Sequence, residues 1–355
     1  MRKKIFFLTG TTGLLGSYLL KILLQKDHKV YVLARSRNNQ TARERVKNVL
    51  SFWDKDFLNE NKIRNCEVIE GDVTQINLGL KFKQLVSIEK NVDEFFHCAA
   101  VTKFNLPLNK ARKVNFYGTN NVLSLALKCK KIYKVNHIST AYVCGNYSGV
   151  FFEKDLNKGQ NFLTTYEQSK FEAERLVEKF RKKGLWIDIF RPPVIGAETN
   201  SGKILSSQAF FQLLRLWCLE LFDIFPGEET SFNFIPVDSL AKIVINISGN
   251  SFRINQNYHP FNSKKIFLKD ILNISSKFLN FKKPRLITFE EFKKVKISRV
   301  KREILDLNVN FLDRHSSFNS FETCQFLKKY NLSLPNFKKN DLIRTLSFFK
   351  KIYYE

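Results

Sequence analysis

Two short patterns in this chain have the residue types and the spacing to bind a dinucleotide and to move a proton. Residues 9–16 read Thr-Gly-Thr-Thr-Gly-Leu-Leu-Gly, and Tyr166 precedes Lys170 by four positions. A glycine loop of the first kind holds a pyrophosphate against backbone N–H groups, and a phenol next to an amine is a candidate general acid. Each pattern is weak by itself, but in this order on one chain they predict a nicotinamide-dependent enzyme.

The glycine loop is predicted to join a buried strand at 4–9 to a helix at 14–25. Gly10 permits a tight turn, Gly13 lets the backbone approach the pyrophosphate, and Gly16 lets the helix pack on the strand. The phosphates then meet the positive end of the helix dipole. The alternative, a glycine-rich turn without a ligand, is disfavoured by the strand before it and the helix after it. The cofactor contacts predicted here are Gly10, Thr12, Gly13, Leu14, Leu15 and Gly16.

The segment after the second predicted strand indicates which dinucleotide is bound. NAD-binding chains usually carry an Asp or Glu there, whereas residues 33–37 read Leu-Ala-Arg-Ser-Arg. Arg35 and Arg37 suit a 2′-phosphate, so we expect NADP(H) in preference to NAD(H). The alternative is that both arginines are simply solvated.

Other predicted strand ends contribute to the same cofactor site. Asp72 follows the third strand, where its carboxylate can accept a hydrogen bond from the adenine amino group. Ala99 and Ala100 follow the fourth strand, and their small side chains let a cofactor lie against the backbone. The cofactor contacts expected at strand ends are Arg35, Asp72, Val73, Ala99, Ala100, Pro193 and Val194, together with Tyr166 and Lys170.

Tyr166 and Lys170 share one face of a helix predicted at 163–182, since residues four apart are neighbours on a helix. The ammonium is expected to lower the pKa of the phenol, so that Tyr166 exchanges a proton with a carbonyl oxygen during hydride transfer. Lys170 is also expected to hold the nicotinamide ribose. The alternative is a solvated helix face, but the pair follows a Ser-Thr strand end on the helix predicted to cross the cofactor.

Three polar residues are candidate partners of this pair. Thr140, directly after the fifth predicted strand, is expected to hydrogen-bond the same substrate oxygen, and Ser139 is the second candidate. Asn115, in a helix between the fourth and fifth strands, is expected to support Lys170 through water. The candidate catalytic set is therefore Thr140, Tyr166, Lys170, Asn115 and Ser139.

Strand-like and helical patterns alternate through the first half of the chain. This alternation predicts an α/β fold with a doubly wound parallel sheet of the Rossmann type, and places every strand's carboxyl end on one edge. The predicted strands are 4–9, 29–34, 66–70, 92–98, 135–140 and 186–190, and the longer helices are 14–25, 41–57, 163–182 and 206–221.

After Pro193 the alternation loosens, which indicates a second, smaller lobe. A strand at 232–236 and a helix at 237–247 are predicted as late additions to the main sheet. We therefore expect a nucleotide-binding domain at 1–197, to which 232–247 return. The C-terminal substrate-binding lobe is expected to comprise 198–231 and 248–355.

The 355 residues carry a formal charge of +26, and residues 251–355 contribute 22 Lys or Arg against 9 Asp or Glu. A basic surface there attracts phosphorylated substrates, an acidic carrier protein or anionic lipid. A genome-wide compositional bias is the alternative source of the charge. Residues 293–302, Lys-Lys-Val-Lys-Ile-Ser-Arg-Val-Lys-Arg, are the densest candidate docking patch, with a solvated helix face as the alternative.

The six cysteines show no short paired spacing and the five histidines do not cluster with them. We therefore predict no metal site and no disulfide framework, and expect a cytoplasmic location. No apolar run approaches the roughly 20 residues that span a bilayer. The N-terminus is basic and then apolar but runs into the glycine loop, so it is interpreted as the first strand rather than a signal peptide.

The combined motifs resemble those of extended short-chain dehydrogenases/reductases over residues 3–247. The resemblance implies a catalytic triad of Thr140, Tyr166 and Lys170. It rests on the glycine loop, Asp72-Val73, His97-Cys98-Ala99-Ala100, Asn115 with Gly118-Thr119, Ser139-Thr140 and the Tyr166/Lys170 pair.

Within that superfamily the chain is similar to the thioester reductase branch, which has a male sterility-type NAD-binding domain and is related to fatty acyl-CoA reductases. The similarity lies in residues 137–143, 191–196 and 233–238, although Pro193 stands where many relatives have glycine. It implies reduction of an acyl thioester, on coenzyme A or an acyl carrier protein, by NADPH to an aldehyde and sometimes an alcohol.

Two other functions remain open from the sequence. One is a nucleotide-sugar epimerase or dehydratase, or a hydroxysteroid-type dehydrogenase, on the same scaffold; Arg35 and Arg37 weigh against the sugar-modifying enzymes, which usually carry an acid after the second strand. The other is a protein that binds and senses a dinucleotide but catalyses no reaction. Such a protein does not need Thr140, Tyr166 and Lys170 together, so their presence disfavours it. No nucleic-acid partner is expected, and peripheral contact with an anionic membrane stays open.

Overall fold

The computed structural model describes residues 3–205, 209–250, 254–261, 264–309, 312 and 316–353. The first residues of the helix predicted from Ser206 lie outside these ranges. Within the described ranges, none of the helices combines the length and the apolar character that a bilayer crossing requires.

The strands of the structure are short and follow one another through the whole chain. In chain order they are β1 (Ile5–Thr9), β2 (Lys29–Ala34), β3 (Cys66–Glu70), β4 (Glu94–His97), β5 (Lys134–Ile138), β6 (Val150–Phe151), β7 (Ile187–Phe190), β8 (Val194–Gly196), β9 (Ile224–Pro226), β10 (Ser231–Phe232), β11 (Phe234–Pro236), β12 (Asn257–Tyr258), β13 (Ile266–Phe267), β14 (Arg285–Ile287) and β15 (Ser317–Phe318).

The helices alternate with these strands in the first half and dominate the second. In chain order they are α1 (Leu14–Gln25), α2 (Ala42–Trp53), α3 (Glu60–Ile63), α4 (Phe82–Asn91), α5 (Leu108–Arg112), α6 (Gly118–Lys128), α7 (Thr165–Lys182), α8 (Ala209–Cys218), α9 (Val237–Asn250), α10 (Leu268–Leu279), α11 (Phe289–Lys294), α12 (Arg299–Val309), α13 (Phe321–Lys329) and α14 (Lys339–Tyr353).

The main sheet has seven strands in the order β3-β2-β1-β4-β5-β7-β12, and all of its neighbouring strands run parallel. The chain first moves outward from β1 to β3 and then continues on the other side of β1 with β4. The carboxyl ends of β1 and β4 therefore flank the switch point, where doubly wound sheets bind their ligands. The predicted doubly wound α/β fold is confirmed.

Both faces of this sheet are covered by helices. Phe6 and Leu8 belong to a core with residues of α1, α2 and α9, whereas Phe7 belongs to a second core with residues of α4, α6 and α7. Successive side chains of a strand point to opposite faces, so an apolar run such as β1 supplies both cores.

The predicted bounds of β2, β3 and α1 agree with the structure, whereas the helix predicted at 41–57 is divided. Thr41 and Glu44 form a capping box at the start of α2. Asp54 ends that helix, since its backbone is extended and its carboxylate accepts a hydrogen bond from the Asp56 N–H at the start of a 3₁₀ turn at Lys55–Leu58.

The strand predicted at 232–236 does not join the main sheet, so that expectation is wrong. β10 pairs with β13, and β11 pairs with β8 in a separate two-stranded sheet. Pro192 and Pro193 follow β7 and have no N–H groups to continue its ladder, which is why the chain leaves the sheet there. β12 occupies the place next to β7, and Asp188 accepts a hydrogen bond from Gln256 N–H at 2.9 Å just before β12.

A buried ion pair between Arg191 and Glu174 belongs to a network that extends from the main sheet to the proposed second lobe. Arg191, directly after β7, donates from Nε and Nη2 to the Glu174 carboxylate of α7 at 3.0 and 2.7 Å, and from Nη1 to the Glu153 carbonyl at 3.1 Å. The Glu153 carboxylate accepts the N–H groups of His259 and Thr323 at 3.2 and 3.0 Å. One network thus joins α7, β7, the segment after β12 and the start of α13.

Because removal of one partner leaves a buried charge without compensation, we expect Arg191→Met to lower the free energy of unfolding by about 3–5 kcal/mol. Urea denaturation measures this change. The double variant Arg191→Met/Glu174→Leu should lose less than Arg191→Met alone. The exposed pair of Arg43 with Glu60 provides the control, and Arg43→Met should leave the urea midpoint unchanged. Equal losses of stability in Arg191→Met and Arg43→Met would contradict this account of Arg191.

Candidate active site

A cavity of about 870 Å³ opens at the carboxyl edge of the main sheet. The glycine loop forms one wall, and the ends of β4 and β5, α7 and α8 contribute the others. The structure thus places the predicted dinucleotide loop and the predicted proton-transfer pair in one cavity. The predicted residues that line it are Gly10, Thr12, Gly13, Leu14, Leu15, Gly16, Arg35, Asp72, Val73, Ala99, Ala100, Ser139, Thr140, Tyr166, Lys170, Pro193 and Val194.

The glycine loop fits a dinucleotide. Gly10 has a φ of +76°, and a methyl group on it would lie 2.6 Å from the backbone nitrogen of Ala99, so both conformation and space require glycine there. A methyl group on Gly13 would meet only the Gly10 carbonyl oxygen, at 3.2 Å, which leaves the cavity side of the loop open. No side chain caps α1 at Gly13. The N-terminal end of this helix is therefore available to a phosphate.

Arg35, Arg37 and Arg45 line the cavity beyond the glycine loop. Arg45 of α2 donates from Nη1 to the Arg35 carbonyl and from Nη2 to Thr12 Oγ1 at 3.4 Å. Burial lowers the pKa of Arg45, and the charges of Arg35 and Arg37 lower it further. Three guanidinium groups in one corner repel each other and favour an anion between them. Sequence reasoning missed Arg45 because its position inside a helix shows no motif.

Asp72 lies next to this corner but is already engaged. Its carboxylate accepts from Arg35 Nη1 at 3.0 Å and from the Thr74 N–H at 2.9 Å. Burial opposes ionisation, but these two donors lower the pKa of Asp72. Arg35 therefore has a carboxylate partner, which the sequence did not predict.

Tyr166 is half-buried in the cavity wall, with its ring 5.9 Å from that of Phe104. Burial raises the pKa of Tyr166 to about 12, and its hydrogen bond with Thr140 only partly opposes this effect. The expected lowering of the phenol pKa by Lys170 is therefore wrong for this structure. Burial outweighs the ammonium, whose own contacts are with other groups.

Lys170 lies one helical turn from Tyr166, and its ammonium donates to the Ile138 carbonyl oxygen at 2.8 Å. Its second contact is with His137 Nε2 at 3.4 Å. Burial lowers the pKa of Lys170 to about 8, while Glu174 acts in the opposite direction. The pKa of His137 is lowered well below its usual value by burial and by Lys170, so the imidazole is a neutral partner of the ammonium.

Asn115 is buried in a π-helical turn at Lys113–Tyr117 and does not contact Lys170 directly. Its side-chain oxygen accepts a hydrogen bond from the Val101 N–H at 2.8 Å, and its side-chain NH₂ donates to the Val101 carbonyl oxygen at 3.1 Å. The same NH₂ group donates to Ser169 Oγ at 2.9 Å. Asn115 therefore ties the loop after β4 to α7, the helix of Tyr166 and Lys170.

Ser139 and Thr140 differ in how their hydroxyls are used. Thr140 Oγ1 accepts from the Tyr142 N–H at 3.3 Å and bonds with Tyr166. Ser139 Oγ is buried in the cavity wall and has no hydrogen-bond partner among the described residues, as is also true of Thr11 Oγ1 in the glycine loop. Two buried hydroxyls are thus available to a ligand.

The part of the cavity beyond Tyr166 was not predicted from the sequence. Its wall comes from an irregular loop after β4, a 3₁₀ turn after β5 and the start of α8. The first two segments have no periodic signal, and the predicted helix at 206–221 does not by itself show that it borders the cavity. The residues that line this part of the cavity are Lys103, Phe104, Asn105, Tyr142, Phe210 and Gln212.

The close approach at Gly10 can be tested with a matched glycine. Gly10→Ala should abolish dinucleotide binding, because its methyl group would overlap the backbone of Cys98 and Ala99. Gly184 also has a positive φ, of +91°, but nothing lies within 4 Å of a methyl group there. Gly184→Ala should therefore cost only about 1–2 kcal/mol of stability and leave binding intact. Cofactor fluorescence titration measures binding by the two variants, and urea denaturation measures their stability. Normal binding by Gly10→Ala would contradict the assigned close approach.

Comparison with known protein families gives a match over most of the chain. The profile of the NAD-binding family described as "Male sterility protein" matches residues 8–244. The L-2-aminoadipate reductase large subunit of Eremothecium gossypii is 29% identical over 275 residues, which cover 71% of this chain and 19% of that protein. The chain spans only 7–29% of the length of the curated relatives that it matches.

Solved structures share the fold along the full length of the chain. The terminal R domain from the myxalamid PKS-NRPS biosynthetic pathway has a TM-score of 0.85 at 23% identity, covering 100% of this chain and 92% of that domain. A thiolation-reductase di-domain from an archaeal non-ribosomal peptide synthetase has a TM-score of 0.80 at 21% identity, covering 100% of this chain and 76% of the di-domain. At these identities the likeness establishes the fold.

Proposed function

Since the chain belongs to the male sterility-type NAD-binding family of extended short-chain reductases, we propose that it reduces an acyl thioester to an aldehyde with NADPH. The observation that carries this proposal is the placement of Tyr166, beside Thr140, in the same cavity as the dinucleotide loop. A proton donor and a hydride source then act on one carbonyl group.

The arginine corner supports NADP(H) as the cofactor. Arg35 is held by Asp72, and Arg45 approaches Arg35 from α2, so the corner is arranged before a ligand arrives. A 2′-phosphate is a dianion that such a corner binds through charge-assisted hydrogen bonds. When bound, the dinucleotide supplies the hydride for the reaction.

The protonation states in the cavity favour reduction. With a pKa of about 12 the Tyr166 phenol is protonated at neutral pH and can act as an acid. As hydride adds to the thioester carbon, Tyr166 gives its proton to the carbonyl oxygen, while Thr140 orients that oxygen. When the carbon–sulfur bond breaks, Tyr166 recovers the proton and the departing thiolate takes one from solvent. The net change is one hydride and one proton added, giving an aldehyde and a thiol.

Lys170 contributes a buried positive charge in this account. At pH 7 an amine with a pKa near 8 is mostly protonated. Its ammonium is held by the Ile138 carbonyl and by neutral His137. The Glu174 carboxylate, which is paired with Arg191, favours the charged form of Lys170. A positive charge one turn from Tyr166 stabilises the phenolate that forms when the proton is transferred.

A thioester substrate is supported by the kinds of protein that this chain resembles. An L-2-aminoadipate reductase, a terminal R domain and a thiolation-reductase di-domain resemble this chain. The arginine corner is unlike the acid after the second strand that sugar-modifying enzymes of this scaffold usually carry. We therefore propose a thioester on coenzyme A or on a carrier protein as the substrate, rather than a nucleotide sugar.

Tyr166→Phe tests the proposed proton donor. Loss of a general acid reduces turnover by about 10²–10⁴-fold, whereas cofactor binding should persist because the ring is retained. The assay follows NADPH consumption with acyl-CoA and acyl-pantetheine substrates of several chain lengths. Tyr117→Phe, at an exposed tyrosine, is the control and should behave as the wild type. Unchanged turnover of Tyr166→Phe would remove this residue from the mechanism. No turnover of any thioester by the wild type would refute the proposed function.

Arg45→Ala tests the proposed 2′-phosphate site. One charge-assisted hydrogen bond is worth about 1.5–3 kcal/mol, so the KM for NADPH should rise by about 10–100-fold while the KM for NADH changes little. Arg43→Ala, on the same helix but paired with Glu60 at the surface, is the matched control. Equal losses with NADPH and NADH would instead assign Arg45 to the support of the glycine loop.

A further inference from the structure

Three segments of the second lobe form one continuous basic surface, which we call the basic face: residues 219–223, 282–285 and 293–302. The Lys301 ammonium donates to the Leu221 carbonyl at 2.6 Å, and the Lys282 N–H donates to Glu220 Oε1 at 2.7 Å. Between residues 282 and 303 there are nine Lys or Arg against three Asp or Glu. Glu220 and Asp223 of the first segment bring the acids to five, so this surface carries an excess of four positive charges.

Several cations of the basic face remain available to a partner. Lys293 and Arg299 pair with Glu290 and Glu303, both at the surface. Among the described residues, no ion pair joins Lys294 or Lys296 to a carboxylate, and both side chains are exposed. These lysines are free to meet the carboxylates of another molecule.

Exposed apolar side chains lie within this basic surface. Leu219, Leu221 and Val300 are 56%, 41% and 66% exposed, and Lys301 brings the last two together because it follows Val300 and donates to the Leu221 carbonyl. A small apolar centre with a charged rim is the usual composition of a specific protein interface. Lysines that are simply solvated would not require an exposed apolar centre among them.

One side of α8 connects the basic face to the cavity. Gln212 lines the cavity, Arg215 is exposed, and Leu219 belongs to the basic face. Gln212 and Arg215 are three residues apart and share one stripe of α8, and Leu219 directly follows the last helical residue, Cys218. From Gln212 to Cys218 the helix advances by about 9 Å. A flexible arm anchored at the basic face can follow this stripe and deliver its thioester to Tyr166.

We propose that the basic face is the docking surface for an acidic carrier protein whose pantetheine arm enters the cavity along α8. This inference rests on the proposed thioester reduction and names the form in which the substrate arrives. Charge complementarity favours an acidic partner, and the stripe that leads into the cavity favours one that carries the substrate on an arm. An anionic membrane would also complement the positive charge, but it does not carry a substrate on a flexible arm that could reach the cavity along α8.

Two substrates separate docking from chemistry: octanoyl-loaded acidic carrier proteins and free octanoyl-pantetheine. The variant Lys294→Glu/Lys296→Glu/Arg299→Glu should raise the KM for the loaded carriers by on the order of tenfold or more, since like charges then face each other. Its kcat/KM for octanoyl-pantetheine should stay unchanged. The matched control is Lys128→Glu/Lys130→Glu/Lys131→Glu, three exposed lysines between α6 and β5, at the opposite edge of the sheet. The control should leave both substrates unaffected.

A charge swap gives the sharpest result. In the swapped carriers the acidic residues around the arm-bearing serine are changed to lysine. With the Lys294→Glu/Lys296→Glu/Arg299→Glu variant, the KM for such a carrier should be low again. With the wild type, the KM for the same carrier should be high. Equal effects of the two triple variants, no effect of either, or a loss on octanoyl-pantetheine as well would overturn the docking surface. Binding to phosphatidylglycerol vesicles that excess carrier does not displace would overturn it in favour of a membrane.

The proposed function and the docking surface can fail separately. If the wild type turns over neither substrate, the thioester proposal is wrong, and titration with a fluorescently labelled carrier still tests the surface. If the wild type reduces octanoyl-pantetheine but binds none of the carriers more tightly than the Glu variant does, the docking surface is wrong and the chemistry stands.

Discussion

The close approach between the loops after β1 and β4 fixes the geometry of the whole site. Gly10 passes so near the backbone of Ala99 that only a hydrogen fits between them. Thr9 Oγ1 holds the same junction, since it contacts His97 Nδ1 at 2.8 Å and accepts the Ala99 N–H at 3.2 Å. His97 Nε2 in turn contacts Thr119 Oγ1 at 3.0 Å on α6. The glycine loop, the end of β4 and the helix that follows are therefore set relative to one another before any ligand is bound.

Burial then determines which groups carry charge near that junction. It lowers the pKa of His97 to about 3, so this histidine is neutral and can serve only as a hydrogen-bonding link. Burial acts in opposite directions on the proposed catalytic pair, because it disfavours the charged form of each: the pKa of Tyr166 rises to about 12 and that of Lys170 falls to about 8. At neutral pH this leaves a protonated phenol beside a mostly protonated amine. That combination suits proton donation to a carbonyl oxygen.

The sequence predicted the fold and about half of the cavity-lining residues because both follow from local patterns. Apolar runs mark β2 and β3, and glycines that are required by close contacts mark the cofactor loop. The errors concern features that depend on distant residues. The strand at 232–236 was assigned to the main sheet because nothing in its own sequence shows that residues 257–258 take the place beside β7. The pKa of Tyr166 was expected to fall because burial cannot be read from a helix pattern. Arg45 was missed because its neighbours in space, Arg35 and Thr12, are far from it in sequence.

The elements of the proposed second lobe share a buried core with the main sheet. Phe211 and Phe225 of the lobe belong to the same buried cluster as Phe6 and Leu8 of β1. The Arg191 network adds a polar connection at the other end of the lobe. Because α8 is anchored in this shared core, its position relative to Tyr166 is set by folding rather than by substrate binding. A preformed wall of this kind can select among ligands by shape, and in the proposed function it connects the basic face to Tyr166.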